Sequence, residues 1–228
     1  MISLVDVHKR YWTQRGDPHW VLRGITLDFP QNRNTGVIGV NGAGKSTMLQ
    51  LIAGTDMPTR GEIRADGRIS WPIGLTNGLQ RTMTGRQNAK FICRIHGLED
   101  DMKERLEFIK EFSELGDAFD EPVKNYSSGM RARLSFSLSL AFDFDMYLVD
   151  EVMSVGDAAF QAKSRKAVKE LAERAGMIIV SHSESTIKSF CDTAVLLHEG
   201  RAHCFSSAED AIKEYRKVNH LQEATAND

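Results

Sequence analysis

The stretch Gly39-Val40-Asn41-Gly42-Ala43-Gly44-Lys45-Ser46-Thr47 decides the reading of this chain, because it fits the phosphate-cradling pattern G-x-x-x-x-G-K-[ST] at every position. Upstream, Thr35-Gly36-Val37-Ile38 reads as a short buried strand entering the loop. Downstream, Met48 to Ala53 reads as a helix stopped by Gly54. Glycines 39, 42 and 44 let successive backbone N–H groups turn inward toward phosphate oxygens, and the positive end of the following helix adds to the field. The nine residues from Gly39 to Thr47 are therefore expected to hold a nucleoside triphosphate. Lys45 is expected to reach the β and γ phosphates, and the Ser46 hydroxyl to ligate Mg²⁺, which takes hard oxygen donors. A Gly-rich turn with a solvated lysine is the bland alternative, and the strand and helix context speaks against it.

With 228 residues and 41% hydrophobic content the chain can bury a real core, as one domain with appendages or two small lobes. A formal net charge of −2 argues against bulk nucleic acid as a partner. No apolar run approaches the ~20 residues of a membrane span. The N-terminus, Met1 to Asp6, alternates like a strand and lacks the basic start and apolar centre of a signal peptide, so a cytoplasmic protein is expected. Cys93, Cys191 and Cys204, odd in number and widely spaced, suit reduced thiols. A zinc site from Cys191, His198, His203 and Cys204 lacks a C-x-x-C pair and is disfavoured.

Outward from the loop, the first third reads as β-rich: Leu4 to Val7, Ile25 to Phe29, Glu62 to Ala65 and Arg68 to Trp71, expected as antiparallel strands beside the loop. From Gly85 to about Phe142 the period turns helical, with Phe91, Ile92 and Ile95 on one apolar stripe, then Met102, Leu106, Ile109 and Phe112, then Leu134, Leu138 and Ala141. The last third returns to apolar runs at Met146 to Val149, Met177 to Val180 and Ala194 to Leu197, separated by helix-like segments, the pattern of a parallel sheet. An α/β fold is expected: a P-loop NTPase (RecA-like) core with a mainly parallel sheet, an N-terminal antiparallel β subdomain and a helical insertion over about 85–142. Residues 1–217 form one domain on this reading, followed by a polar tail, 218–228, frayed from Leu221 onward.

In an open parallel sheet the ligand lies beyond the carboxyl ends of the strands, so the polar residues after each apolar run matter most. After Val149 come Asp150, expected in the Mg²⁺ shell, and Glu151, expected to orient and polarise the attacking water as general base. After Val180 come Ser181 and His182, which could contact the γ-phosphate or be structural. Ser154-Val155-Gly156-Asp157 suits a loop packing against another subunit's site. Tyr126-Ser127-Ser128-Gly129-Met130-Arg131 opens a helix; its hydroxyls and free N–H groups could bind an anion, or Ser127 could simply cap its own helix.

In kind and order these motifs resemble the ATP-binding subunits of ABC transporters, over essentially residues 1 to 217. Gly39 to Thr47 matches the Walker A loop, Ser127-Ser128-Gly129-Met130 the signature, Met146 to Glu151 Walker B, Ser154 to Asp157 the D-loop and His182 the switch histidine. The resemblance implies a homodimer that sandwiches two ATP molecules, each signature turn meeting the γ-phosphate held by the opposite loop, with Lys45, Glu151 and His182 acting on it. Tyr126, Ser128 and Met130 depart from the family's Leu, Gly and Gln, while Ser127 and Gly129 are kept. Tyr11 matches the aromatic that stacks on adenine, with Trp12 and Trp20 as competitors. Gln80 is a candidate for the glutamine loop, although it lies nearer Asn88 than the usual spacing.

Ile69 to Pro72, Thr82 to Asn88, Tyr126 to Met130, Asp150 to Asp157 and Ala211 to Arg216 look like the polysaccharide-export branch, most like capsular exporters of Gram-negative bacteria. That likeness implies an ATP hydrolase coupled to transport, peripheral on the cytoplasmic face of the inner membrane and paired with an integral membrane permease, with no sugar-binding module after Tyr215. A soluble ABC ATPase acting on nucleic acid or the ribosome is the alternative, disfavoured by charge and by the lack of a second cassette. A small-molecule kinase would leave the Ser127 turn without purpose.

Overall fold

The computed structural model describes residues 1–73, 78–98, 100–150 and 156–226, with side chains described through residue 219. The chain divides into two compact units, one of Met1–Pro72, Phe144–Glu151 and Val168–Asp228, the other of Ile73–Asp143 and Val152–Ala167.

The first unit is built on two sheets. Strands β1 (Ile2–Trp12), β2 (Pro18–Phe29) and β4 (Arg60–Ala65) form an antiparallel sheet in the order β2-β1-β4. The second sheet has six strands in the order β5-β6-β7-β3-β8-β9, from β3 (Asn34–Ile38), β5 (Ile69–Ile73), β6 (Met146–Asp150), β7 (Gly176–Val180), β8 (Thr193–His198) and β9 (Arg201–Phe205). The pairs β6/β7, β7/β3 and β3/β8 are parallel, and β9 closes the edge antiparallel to β8. All five residues of β7 are buried, as a central parallel strand covered on both faces requires.

The Arg68 to Trp71 run thus becomes a strand, but not in the antiparallel sheet where its turn-flanked position in the chain put it. It sits at the edge of the large sheet beside β6, and the Ser70 hydroxyl accepts the Leu148 N–H at 2.9 Å.

Between the loop and Gly54 runs α1 (Lys45–Ile52), eight residues and too short to be stable alone. Burial holds it in place: Met48, Leu49, Leu51 and Ile52 join a core with Ile2, Leu4, Val7, Ile25 and Phe29 of the small sheet and Val37, Leu148, Ile178 and Val195 of the large one. Each such side chain contributes about 1.5–3 kcal/mol on burial, so packing, more than helix propensity, holds the loop's exit. The helix α6 (Glu184–Phe190) follows β7, and α7 (Ala208–Ala226) continues beyond residue 217 into the segment read as a polar tail.

The second unit is helical and contains the 85–142 segment: α2 (Gly85–Ile95), α3 (Met102–Ser113), α4 (Ser128–Leu140) and the first part of α5 (Ala158–Ala172). Thr84 and Gln87 form a capping box at the start of α2. Phe112, Phe136 and Phe160 meet with ring centroids 6.0 to 6.1 Å apart. The serines on the buried face of α4 are satisfied inside the helix: Ser137 Oγ donates to the Arg133 carbonyl at 2.7 Å and Ser139 Oγ to that of Ser135 at 3.1 Å. One apolar stripe expected from periodicity is placed differently. Phe91 and Ile95 are 46% and 63% exposed, whereas Asn88, Ala89 and Cys93 form the buried face of α2.

Candidate functional site

The glycine loop leaves the carboxyl end of β3, which β7 and β8 flank. Close neighbours leave no room for a side chain at two of its glycines. A Cβ on Gly39 would stand 2.3 Å from the Leu197 carbonyl oxygen, and Gly44, at φ 102°, would drive one into Leu22 and Val21 at 2.8 and 2.9 Å. Lys45 is buried, and its ammonium donates to the carbonyls of Gly39 at 2.8 Å and Val40 at 3.0 Å. Its charge is thereby held against the inner wall of the loop. Helix α1 has no acid in its first turn and no side-chain cap, whereas α2, α4 and α6 are capped by Thr84, Ser127 and Ser183. Uncapped N–H groups, a positive helix end and an adjacent ammonium together make a phosphate cradle. Ser46 and Asn41 are exposed, and Thr47 is half-buried.

Strand register brings Asp150 and the neighbourhood of His182 to this edge. Asp150 pairs with Val180, and Val180 pairs with Val37, so the three lie level across neighbouring parallel strands. At about 4.8 Å per strand, Asp150 stands roughly 10 Å across the sheet from Val37, two residues before Gly39. Asp150 is half-buried and His182 exposed. An exposed hydroxyl at Ser46 and the Asp150 carboxylate at the same sheet edge are oxygen donors of the type Mg²⁺ takes, so these residues fit the ion. Glu151 and Ser154 lie outside the described residues.

Tyr11 stands at the end of β1, partly exposed. Its hydroxyl donates to Asp56 Oδ2 at 2.7 Å, and Asp56 also takes the buried Lys9 ammonium at 2.6 Å. Burial, then the Asp56 hydrogen bond, pushes the phenol above its ordinary value; Lys9 first of all holds the Asp56 carboxyl low. The ring is thereby fixed, while Trp12 is 65% exposed. Trp20 carries the Arg10 guanidinium 5.3 Å from its centroid and borders a cavity beside Gly42 and Ala43.

In the helical unit, Ser127 caps α4, its Oγ accepting the Met130 N–H at 3.2 Å. Ser127 and Ser128 are exposed. Among the described residues, a Cβ on Gly129 would meet only Ser127 Oγ, at 3.8 Å, so none of them demands glycine there. Tyr126 is buried; its hydroxyl donates to the Ala118 carbonyl at 2.5 Å and its own carbonyl takes Arg131 Nη1 at 2.5 Å, which anchors the turn from below. Asp157 Oδ1 accepts the Phe160 N–H at 2.9 Å and Oδ2 accepts Arg133 Nη2 at 2.6 Å. That N–H, and after it the guanidinium, hold its carboxyl below the usual range.

Gln80 is exposed, and its backbone is clamped on both sides by Asn88: the Gln80 N–H donates to Oδ1 at 2.8 Å and Nδ2 donates to the Gln80 carbonyl at 3.1 Å. Arg133 and Asn88 are organising residues that motif reading passed over. An asparagine four residues after the cap Thr84 was visible in the sequence, but its burial and its bonds to Gln80 were not.

Fold and site together define an α/β P-loop protein built to bind a nucleoside triphosphate. Residues 22–154 match the ABC transporter family. The chain belongs to that family. It is 45% identical to the polysialic acid transport ATP-binding protein KpsT of Escherichia coli, over 95% of this chain and 99% of the relative. It is also 45% identical to the ATP-binding protein BexA of Haemophilus influenzae and to the capsule polysaccharide export ATP-binding protein CtrD of Neisseria meningitidis, each over 97% of this chain and all of the relative. Among solved structures, an ATP binding subunit of an ABC transporter superposes with a TM-score of 0.79 at 21% identity, over 95% of this chain and 99% of the other. The dimeric cassette MJ0796 bound to ADP and Pi superposes at 0.75 with 20% identity, over 89% and 97%. These two likenesses concern the fold.

Proposed function

We propose that this chain is the ATP-binding and ATP-hydrolysing subunit of an ABC transporter that exports capsular or related polysaccharide. It acts as a homodimer with an integral membrane permease, on the cytoplasmic face of the inner membrane. The observation that carries the export reading is the 45% identity, over 95% and 97% of this chain, to relatives named for polysialic acid transport and for capsule polysaccharide export. None of the described helices is long and apolar enough to cross a membrane, which accords with a peripheral subunit. Residues 1–217 act as one ATP-binding domain on this reading.

The uncapped start of α1 and Lys45 bind the β and γ phosphates of ATP, and Tyr11 supports the base. Bound Mg²⁺, held by Ser46 and the Asp150 shell, supplies charge neutralisation at the phosphates. Glu151 takes the proton of the attacking water, and His182 contacts the γ-phosphate from the end of β7. Ser127 to Met130 of one subunit close on the phosphate held by the other, with Asp157 in the D-loop and Gln80 linking toward the permease. Closure excludes water and completes the site, so a lone subunit turns over slowly.

The test is recovery and turnover. The protein extracted from its native membrane should copurify with a polytopic protein, and Glu151→Gln should abolish steady-state ATP hydrolysis by that complex. Recovery with RNA or ribosomes would refute the transport reading, and unchanged hydrolysis would remove Glu151 as the base.

A further inference from the structure

We propose that Arg133 is a positioning residue for ATP hydrolysis, fastening the helix that presents Ser127 and Gly129 to the loop acid Asp157. The inference rests on the ATP-hydrolysing reading above and adds to it an internal link.

Arg133 lies on α4, six residues beyond the cap Ser127, with its side chain only 18% exposed. Nη2 donates to Asp157 Oδ2 at 2.6 Å and Nη1 to Glu114 Oε2 at 3.1 Å. The guanidinium lies 4.7 Å from the centroid of the buried Phe160 ring. Each carboxylate ends or begins another helix. Glu114, at φ 54°, closes α3 and also takes Lys163 Nζ at 2.8 Å; Asp157 opens α5 through the Phe160 N–H. One planar fork therefore joins α4 to the end of α3 and the start of α5, all within the second unit. A lysine, as a point charge, could serve only one of the two carboxylates well.

A purely structural ion pair is the competing explanation. Against it, the start of α5 is already held by the Asp157 cap and by the fully buried Phe160, and Lys163 already holds Glu114. What Arg133 supplies is the connection of Asp157 to α4. In the shared site, Asp157 and the Ser127 turn face the same event, the closure of two subunits on ATP. With Arg133 in place the turn and the loop approach the partner in fixed register, and the hydroxyl of Ser127 and the N–H groups after it arrive already oriented. With its guanidinium engaged by Asp157, Glu114 and the Phe160 ring, Arg133 acts through the groups it positions.

The experiment uses the full-length dimer and compares Arg133→Gln, Asp157→Asn, the double variant, Arg133→Lys and Glu114→Gln. Asparagine at 157 keeps an oxygen for the Phe160 N–H, so the start of α5 is preserved. Arg133→Gln and Asp157→Asn are each expected to lower kcat about tenfold, while affinity for a fluorescent ATP analogue stays within about twofold. The double variant should be no worse than either single one, because both remove one coupling. Arg133→Lys should recover part of the rate, and Glu114→Gln should cost less than Asp157→Asn. Losses that multiply in the double variant, a larger loss in Glu114→Gln, or an unchanged kcat in Asp157→Asn would overturn the proposal. If Arg133→Gln does not fold, as judged by its thermal melt, Asp157→Asn decides alone. A wild-type dimer that hydrolyses no ATP would instead overturn the underlying reading, and the inference with it.

Discussion

Gly129→Ala separates what a signature glycine does for its own chain from what it does for another. Gly129 lies in the first turn of α4 without positive φ, and among the described residues an added methyl would find only Ser127 Oγ at 3.8 Å, an ordinary van der Waals distance. Alanine at a helical position restricts the unfolded chain and improves helix propensity. In a first turn this is worth about 0.5 kcal/mol, the lower end of the usual range. For a chain of this size that raises Tm by about 1–2 °C. Hydrolysis should move the other way. If Gly129 meets the phosphate held by a second subunit, a methyl group occupies the approach and turnover falls by at least about tenfold. Differential scanning calorimetry and a phosphate-release assay on one preparation read both quantities. A Tm lowered by several degrees would show that the space beside Gly129 is not open. Unchanged turnover would show that no second chain reaches it, and the shared-site reasoning fails.

Lys45→Ala removes the ammonium that bridges Gly39 and Val40, and ATP-analogue binding measured by fluorescence titration should weaken by more than about tenfold; unaltered affinity would remove the loop from the mechanism. Tyr11→Phe keeps the ring and loses the hydroxyl's bonds to Asp56 and Thr47, so affinity should hold, whereas Tyr11→Ala should lose the ~1–3 kcal/mol of a base stack; a loss on Trp20→Ala instead would move the base to β2. Burial pushes the Cys191 thiol up to about 12. Folding therefore favours the protonated thiol, a contribution complete below the unfolded thiol value near 8.5 and lost as pH rises from there through about 12. Equilibrium denaturation of Cys191→Ala should accordingly show a flatter alkaline limb than wild type, and an identical limb would contradict the burial.

What the sequence disclosed is what local chemistry determines. The loop from Gly39 to Thr47, the strand before it, the acid ending β6 and the cap at Ser127 each depend on neighbours within a few residues, and each stands where its pattern placed it. Pairings across the chain were not legible. Ile69 to Ile73 is a good strand by composition, yet its place beside β6 is fixed by a partner more than seventy residues away. Periodicity identified α2 as a helix but could not tell which side would be covered: the polar Asn88 turned inward because it pairs with the Gln80 backbone, and Phe91 and Ile95 turned outward. The link from Arg133 to Asp157 spans 24 positions and follows from the packing of Phe112, Phe136 and Phe160 beneath it.

The clamp of Asn88 on Gln80 has a consequence for how substitution patterns in such chains are interpreted. Asn88 offers its amide as a strand would offer a peptide group, one donor and one acceptor to the same residue, and it also donates to the Thr84 carbonyl at 2.9 Å. Aspartate lacks the donor, leucine lacks both, and glutamine carries an extra methylene into a position that is 2% exposed. In a saturation library position 88 should therefore tolerate almost nothing, because its side chain is buried and bonded to the backbone of its own unit. Intolerance to change would there record the upkeep of a neighbour's backbone, and a map that equates invariance with ligand contact would place the binding surface one residue too deep.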